Sequence, residues 1–214
     1  MSSATATGWP SPAGFALALA VGFAATLTCA WMWGAPLIEG LLPAAHGALG
    51  WIDDRFGIAF LGVERNWQDT VVRLRVDVIA PFVVGGQMIT AHSGWLEVTT
   101  TTGAMLQPLV IAPALAFALP AGWPSRLLAS LLAALFAFVF LLADLPLTLH
   151  AYVWDMFIDN LEPDRFSPLM IWHAFLHAGG RLGIGAILGL AGWLSACRML
   201  RRMSLSAQQS GVAP

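Results

Sequence analysis

No charged residue interrupts the chain from Phe15 to Ile38, and that run constrains the fold more than any other feature. A helix that crosses the hydrocarbon of a bilayer needs about 20 consecutive apolar residues, and the run is long enough. A cleaved signal peptide is the competing expectation. It is the weaker one, because no Arg or Lys precedes the run and no small-x-small site ends it. The rest of the composition agrees with a membrane protein. Of 214 residues, 58% are hydrophobic and 10% are charged, against about 25% charged in an ordinary soluble domain. The chain has no lysine, so its ten basic residues are all arginine, and its ten tryptophans suit anchoring at membrane interfaces. A net charge of −2 and the absence of a basic stripe argue against nucleic acid as a partner. Cys29 and Cys197 both lie in apolar stretches, which suggests small core residues in place of a disulfide framework or a zinc site.

The segment from Glu39 to Thr102 has a different character. Ala45 to Phe60 mixes Trp51, Ile52, Phe56 and Phe60 with Asp53, Asp54 and Arg55, a pattern that predicts an amphipathic helix lying on the membrane. Val72, Leu74, Val76 and Val78 then alternate with Arg73, Arg75 and Asp77, the period of a half-buried strand. Gly85-Gly86 and Ser93-Gly94 punctuate two further β-rich runs, Gln87–Ala91 and Trp95–Thr101. A small antiparallel sheet outside the bilayer follows, because the edge amides of an open sheet would go unpaired in hydrocarbon.

Three more spans are expected. Ala104–Leu119 is short and carries Pro108 and Pro113, so it should kink or bury itself among its neighbours. A turn at Gly122-Trp123-Pro124-Ser125 leads to a third span from Leu127 to Ala143, which continues through Asp144 and Pro146 towards His150. Asp155 to Arg165 reads as an acidic loop. A fourth span runs from Leu169 to Cys197, followed by a polar tail expected to be disordered. The fold class is therefore a mainly α membrane protein with about four transmembrane helices and a β-containing extracytoplasmic insert between the first and second. The division is a tail to residue 13, a first span over 14–39, the insert over 40–102, a three-helix region over 103–198 and a tail over 199–214. Arg198, Arg201 and Arg202 end the fourth span, and Arg126 shares their side. Basic residues concentrate on the cytoplasmic face, which predicts a multi-pass protein of the bacterial inner membrane with both termini inside. The four arginines of the long first loop weigh little, since long translocated segments obey that rule weakly.

Polar residues converge on the outer side of this topology. His173, His177 and Arg181 are spaced i, i+4 and i+8 and share a helix face. A charge at the bilayer centre costs roughly 2.5–3.5 kcal/mol on insertion scales, so Asp144 and Arg181 should face protein or water, and an Asp144–Arg181 pair would satisfy both. With His150 they make up a candidate polar cluster. The two histidines suit zinc in spacing, but no third ligand follows at a recognisable distance, so neither metal nor cofactor is expected. Thr99 to Thr102 reads as a strand end and helix cap, and Thr101 or Thr102 would be nucleophilic only beside a base such as His173. Gly179 and Gly183, and likewise Gly185 and Gly189, are four residues apart and predict close helix packing.

The order of these features resembles the exosortase/archaeosortase family of membrane transpeptidases. In that family a short β-like stretch leads into a Cys-x-Gly motif at the start of a helix. Then come a Pro- or Trp-containing turn, a helix with an Asn-x-x-Arg-like motif and a last helix opening with histidine. The matching runs are Trp95-Leu96-Glu97-Val98 into Thr101-Thr102-Gly103, Pro120-Ala121-Gly122-Trp123-Pro124-Ser125-Arg126-Leu127, Leu142-Ala143-Asp144-Leu145-Pro146-Leu147 and Trp172-His173. The resemblance covers Val72 to Trp193 and lies in layout more than in motif identity. The family's cysteine falls at Thr101, its arginine near Pro146 or Leu147, and its histidine at His173 or, less well, His177. The resemblance thus implies a relative without transpeptidase chemistry: an accessory or scaffold in an envelope protein-sorting system, whose partners would be membrane lipid and an exosortase-type protein or a second copy of the chain. The alternatives are a membrane enzyme using Thr101 or Thr102 with His173, and a small transporter subunit with Asp144, His150 and Arg181 along a polar path.

Overall fold

The structure is a computed structural model that describes residues 11–67, 69–163 and 166–210. Helices dominate it. α1 (Pro12–Ile52) leads into strands β1 (Phe56–Asn66), β2 (Asp69–Val78), β3 (Phe82–Val84), β4 (Gln87–Ile89) and β5 (Trp95–Thr101). Then follow α2 (Thr102–Ala118), α3 (Trp123–Leu161), α4 (Pro168–Phe175) and α5 (Arg181–Ser210), the last two joined by a π turn over Leu176–Gly180. Among the described residues, three helical stretches are long and apolar enough to cross a membrane: Pro12–Ile52, Trp123–Leu161 and Pro168–Met203. α2 is apolar but only 17 residues long, about 26 Å at 1.5 Å per residue.

Two of the helices are much longer than the sequence reading allows. α1 has 41 residues and runs straight through Pro36 and Pro43, absorbing Ala45–Ile52. The predicted surface helix over Ala45–Phe60 is therefore replaced by the end of α1, a short turn and the start of β1. Asp53, Asp54 and Arg55 mark that turn. α3 has 39 residues and extends to Leu161, so most of the expected acidic loop is helical; Arg165 lies outside the described residues. α5 continues to Ser210, where a disordered tail was expected; residues 211–214 lie outside the described residues.

The chain forms two compact units. Of the described residues, the first gathers 11–30 with Gln107–Val139 and 182–210. Its core is built of Ala112, Ala116, Ala129, Ala133, Ala137 and Ala196, with Leu109, Leu128, Leu132, Leu188 and Trp193 around them. Small residues let the backbones close up. A Cβ at Gly189 would lie 2.7 Å from the Ala112 carbonyl oxygen, and one at Gly192 would lie 2.6 Å from the Ala133 nitrogen. Gly185 is nearly as tight, 3.2 Å from the Pro108 Cα. Gly183 has nothing within 4 Å and takes no part in packing. Cys29 is exposed on α1 and Cys197 is partly exposed, so neither is the core residue the sequence suggested.

The second unit comprises Trp31–Leu106 and Phe140–Arg181. Its main sheet has the order β1-β2-β5, antiparallel throughout. Val72, Leu74, Val76 and Val78 are buried on one face, as the period-two alternation requires. On the other face Arg73 bridges Glu64 and Glu97 at 3.1 Å each, and Arg75 pairs with Glu97 at 2.7 Å. Glu97 titrates below the usual carboxylate range, chiefly through its hydrogen bond from Arg75. A bulge between Ile58 and Phe60 switches the pleat of β1, so both halves turn apolar residues inward. β3 and β4 form a hairpin whose turn, Gly85-Gly86, has φ values of +57° and +73°, the two positive values of a tight hairpin loop. The Gly85 N–H donates to Glu162 Oε1 at 2.6 Å, and the tip packs so closely on the Leu161 carbonyl that only glycine fits.

Candidate functional site

Two polar stripes meet inside the second unit. On α3, Asp144, Thr148 and Tyr152 are each four residues apart and point to one side. Facing them are Arg181 at the start of α5, His177 in the π turn and His173 on α4. The lower rung is fully buried, with Arg181 1% and Asp144 2% exposed. Arg181 Nε donates to Asp144 Oδ2 at 2.9 Å, and Nη2 donates to Thr148 Oγ1 at 2.8 Å and to Asp144 Oδ1 at 3.4 Å. The Thr148 hydroxyl donates a hydrogen bond to Asp144 Oδ1 at 2.8 Å. Each charge is thus neutralised, and Thr148 serves both as donor and acceptor. An isolated buried charge would cost several kcal/mol; a closed pair avoids most of that.

The upper rung is aromatic. The Tyr152 hydroxyl lies 2.7 Å from His177 Nε2. The His173 ring stands edge-on to Tyr152 with centroids 4.5 Å apart, and the same distance separates the two histidines. His173 Nε2 is buried and has no hydrogen-bond partner among the described residues. The helix changes conformation beside this rung: Gly179 takes φ +99°, a value only glycine adopts without strain, and a π turn replaces regular helix. Gly179 therefore breaks the helix, whereas its spacing to Gly183 predicted a packing contact.

The sequence-predicted residues sort as follows. Asp144 and Arg181 pair directly, and His173 and His177 adjoin them through Tyr152. His150 belongs elsewhere. It faces Phe56, and its Nε2 lies 4.0 Å from Asp53 Oδ2. Asp53 in turn takes two hydrogen bonds from the Arg55 guanidinium, at 2.7 and 2.5 Å. Burial acts to raise the Asp53 pKa, but the Arg55 hydrogen bonds outweigh it and hold the carboxyl below its usual range. The guanidinium lies over the Phe82 and Trp154 rings at 5.0 and 4.9 Å. A cavity of about 10 Å³, lined by Leu49, Asp53, Leu74 and His150 among others, has room for roughly one water.

The threonines are structural. Thr101 Oγ1 accepts from the Ala104 N–H at 3.4 Å and caps α2. The Thr102 hydroxyl donates to the Thr70 carbonyl at 3.1 Å, clasping α2 to β2. Among the described residues, neither hydroxyl bonds to a histidine, and no group of three or more His, Cys, Asp or Glu could hold a metal. The sequence reading missed Thr148 and Tyr152. Both repeat the four-residue step from Asp144, the same signal that put His173, His177 and Arg181 on one face.

No family model, no curated protein and no solved structure matches the chain.

Proposed function

We propose that this chain is a multi-pass inner-membrane protein that acts as a non-catalytic accessory or scaffold subunit, in an envelope protein-sorting system of the exosortase type. In this reading α2 is a fourth, short span held among the longer ones, the β insert is extracytoplasmic, and both termini are cytoplasmic. The support for the topology is the arginine distribution, with Arg126, Arg198, Arg201 and Arg202 on one side. The support for the role is layout: a β stretch runs into a capped helix, and a later helix presents histidine. The observation that carries the non-catalytic part is the use of the threonine hydroxyls. Thr101 caps α2 and Thr102 clasps Thr70, and among the described residues neither hydroxyl is hydrogen-bonded to the base that a hydroxyl nucleophile needs.

The enzyme reading keeps one observation in its favour, the unpartnered Nε2 of His173. Two experiments separate the readings. A cytoplasm-only reporter fused after Pro214 should give signal, and one fused in the segment after Leu161 should not. In a deletion strain with an envelope phenotype, Thr101→Ala and Thr102→Ala should complement, and the tagged protein should co-purify with a membrane partner of the sorting system. Loss of complementation by Thr101→Ala and by His173→Ala, at normal protein level, would replace the scaffold with an enzyme.

A further inference from the structure

We infer that Trp67 is an anchor for the lipid headgroup region, set at the tip of the long β1–β2 hairpin. The inference rests on the proposed membrane placement of the helices. Asn66 pairs with Asp69, so the loop has two residues. Two-residue hairpin loops favour Asn, Asp or Gly, because the backbone must take positive φ. Trp67 stands there with φ +57°. A bulky side chain in that region is a steric outlier, so turn formation does not explain the tryptophan. Burial does not explain it either, since Trp67 is 94% exposed, more than any other large apolar residue described. The position carries a backbone penalty and places a large ring in the open, which points to a partner outside the chain.

The register identifies that partner. β1 runs away from the end of α1, and its tip comes back to the start of α2. Thr70, one residue beyond Asp69, accepts from Thr102, the first residue of α2. Val71 pairs with Thr101, the residue that caps it. Trp67 is thus held beside the point where the chain turns from sheet into an apolar helix. In the proposed topology that point is the outer membrane interface. Tryptophan is enriched at such interfaces because its ring is apolar and its indole N–H seeks water or headgroups. Arg65 and Asp69 flank the tip with one charge of each sign, which suits the zwitterionic headgroup layer better than the hydrocarbon.

The test uses the full chain with Cys29→Ser and Cys197→Ser, reconstituted in phosphatidylcholine–phosphatidylglycerol vesicles. Single cysteines at Trp67→Cys, Leu135→Cys and Ser93→Cys carry an environment-sensitive fluorophore. Leu135 is an exposed apolar position on α3, and Ser93 lies in the exposed turn before β5. The label at 67 should be quenched by lipid with a nitroxide near the headgroup and protected from iodide supplied on both sides. The label at 135 should be quenched by a deep nitroxide, and the label at 93 by iodide. The fluorescence lost on Trp67→Phe should itself be quenched by brominated lipid. If the label at 135 escapes lipid quenchers, the membrane placement fails and the anchor with it. If 135 behaves and 67 follows the iodide pattern of 93, or is shielded from every quencher as in a protein contact, the lipid anchor alone is overturned.

Discussion

Replacing Asp144 by leucine should be among the most damaging single changes in the second unit, and more damaging than replacing its partner. Asp144 supplies both oxygens that meet Arg181, at 2.9 and 3.4 Å, and accepts a hydrogen bond from the Thr148 hydroxyl. With Asp144→Leu the guanidinium stays buried at 1% exposure with Thr148 and a 4.0 Å contact to the Met105 sulfur. Removing one partner of a buried pair costs about 3–5 kcal/mol, roughly a hundredfold or more in the folded-to-unfolded ratio. Arg181→Met should cost less, because a stranded carboxylate can take up a proton, whereas a guanidinium stays charged. The double variant Asp144→Leu/Arg181→Met leaves no charge behind and should recover to within about 1–2 kcal/mol of the parent, as buried pairs exchanged for apolar residues do. Unfolding in mixed micelles of mild and denaturing detergent, followed by circular dichroism, gives the four stabilities of the cycle. If both single changes cost under about 1 kcal/mol and simply add, the pair is not the brace that its geometry suggests.

The glycines should separate into distinct behaviours. Gly189→Val puts its Cβ against the Ala112 backbone and should lower the yield of folded protein in membranes, whereas Gly183→Ala, with open space around it, should be neutral or stabilising by up to about 1 kcal/mol. Gly179→Ala also meets no atom, yet should cost about 1–2 kcal/mol through its φ of +99° alone, measurable in the same unfolding assay. The Asp53–Arg55 pair makes a pH prediction. The folded-state pKa of Asp53 is depressed, so its contribution is present above the ordinary aspartate range and is lost as pH falls through the lowered value. Asp53→Asn should lower stability at neutral and alkaline pH, where the ionised pair contributes, and should flatten that part of the acid dependence of unfolding.

The strands with clear alternation were legible in the sequence. Trp95–Thr101 was found to the residue, and Val72–Val78 lacked only the first three residues of β2. β1 was hidden for a physical reason. Its bulge at Ile58/Phe60 breaks the period of two, and the surrounding aromatics and charges imitate an amphipathic helix. The length of α1 was hidden because the charge-free run ends at Glu39 and the mixed residues from Ala45 on imitate a separate surface helix, whereas one helix continues to Ile52. In the site, the Asp144–Arg181 pair followed from the cost of charge in an apolar span. His150 was grouped with that pair because sequence order says little about direction. It lies two residues from both Thr148 and Tyr152, about 160° around the helix from each, on nearly the opposite side from their stripe. Tyr152 itself sits just past the run that was read as the span, which is why a search confined to spans passed over it.

Tyr152 now offers a sharp test of what the upper rung is for. Its hydroxyl is 2.7 Å from His177 Nε2, and its ring supports His173 at a centroid distance of 4.5 Å. Tyr152→Phe keeps the ring and deletes only the hydroxyl. His177 is exposed and can turn to water, so the loss should be that of one ordinary hydrogen bond, about 0.5–1.5 kcal/mol. Arg181 and Asp144 keep every partner they have, and the lower rung is untouched. In a scaffold, then, Tyr152→Phe should complement a deletion strain fully once protein levels are matched, and Tyr152→Ala should fail in proportion to its lower level, because it removes the ring as well. A chemical role predicts the reverse order of severity per molecule. Tyr152→Phe would then be inactive at normal abundance and stability, as would His177→Gln. That outcome would mean that the polar stripe moves a proton and does not merely hold two helices together, and the non-catalytic reading would have to be given up.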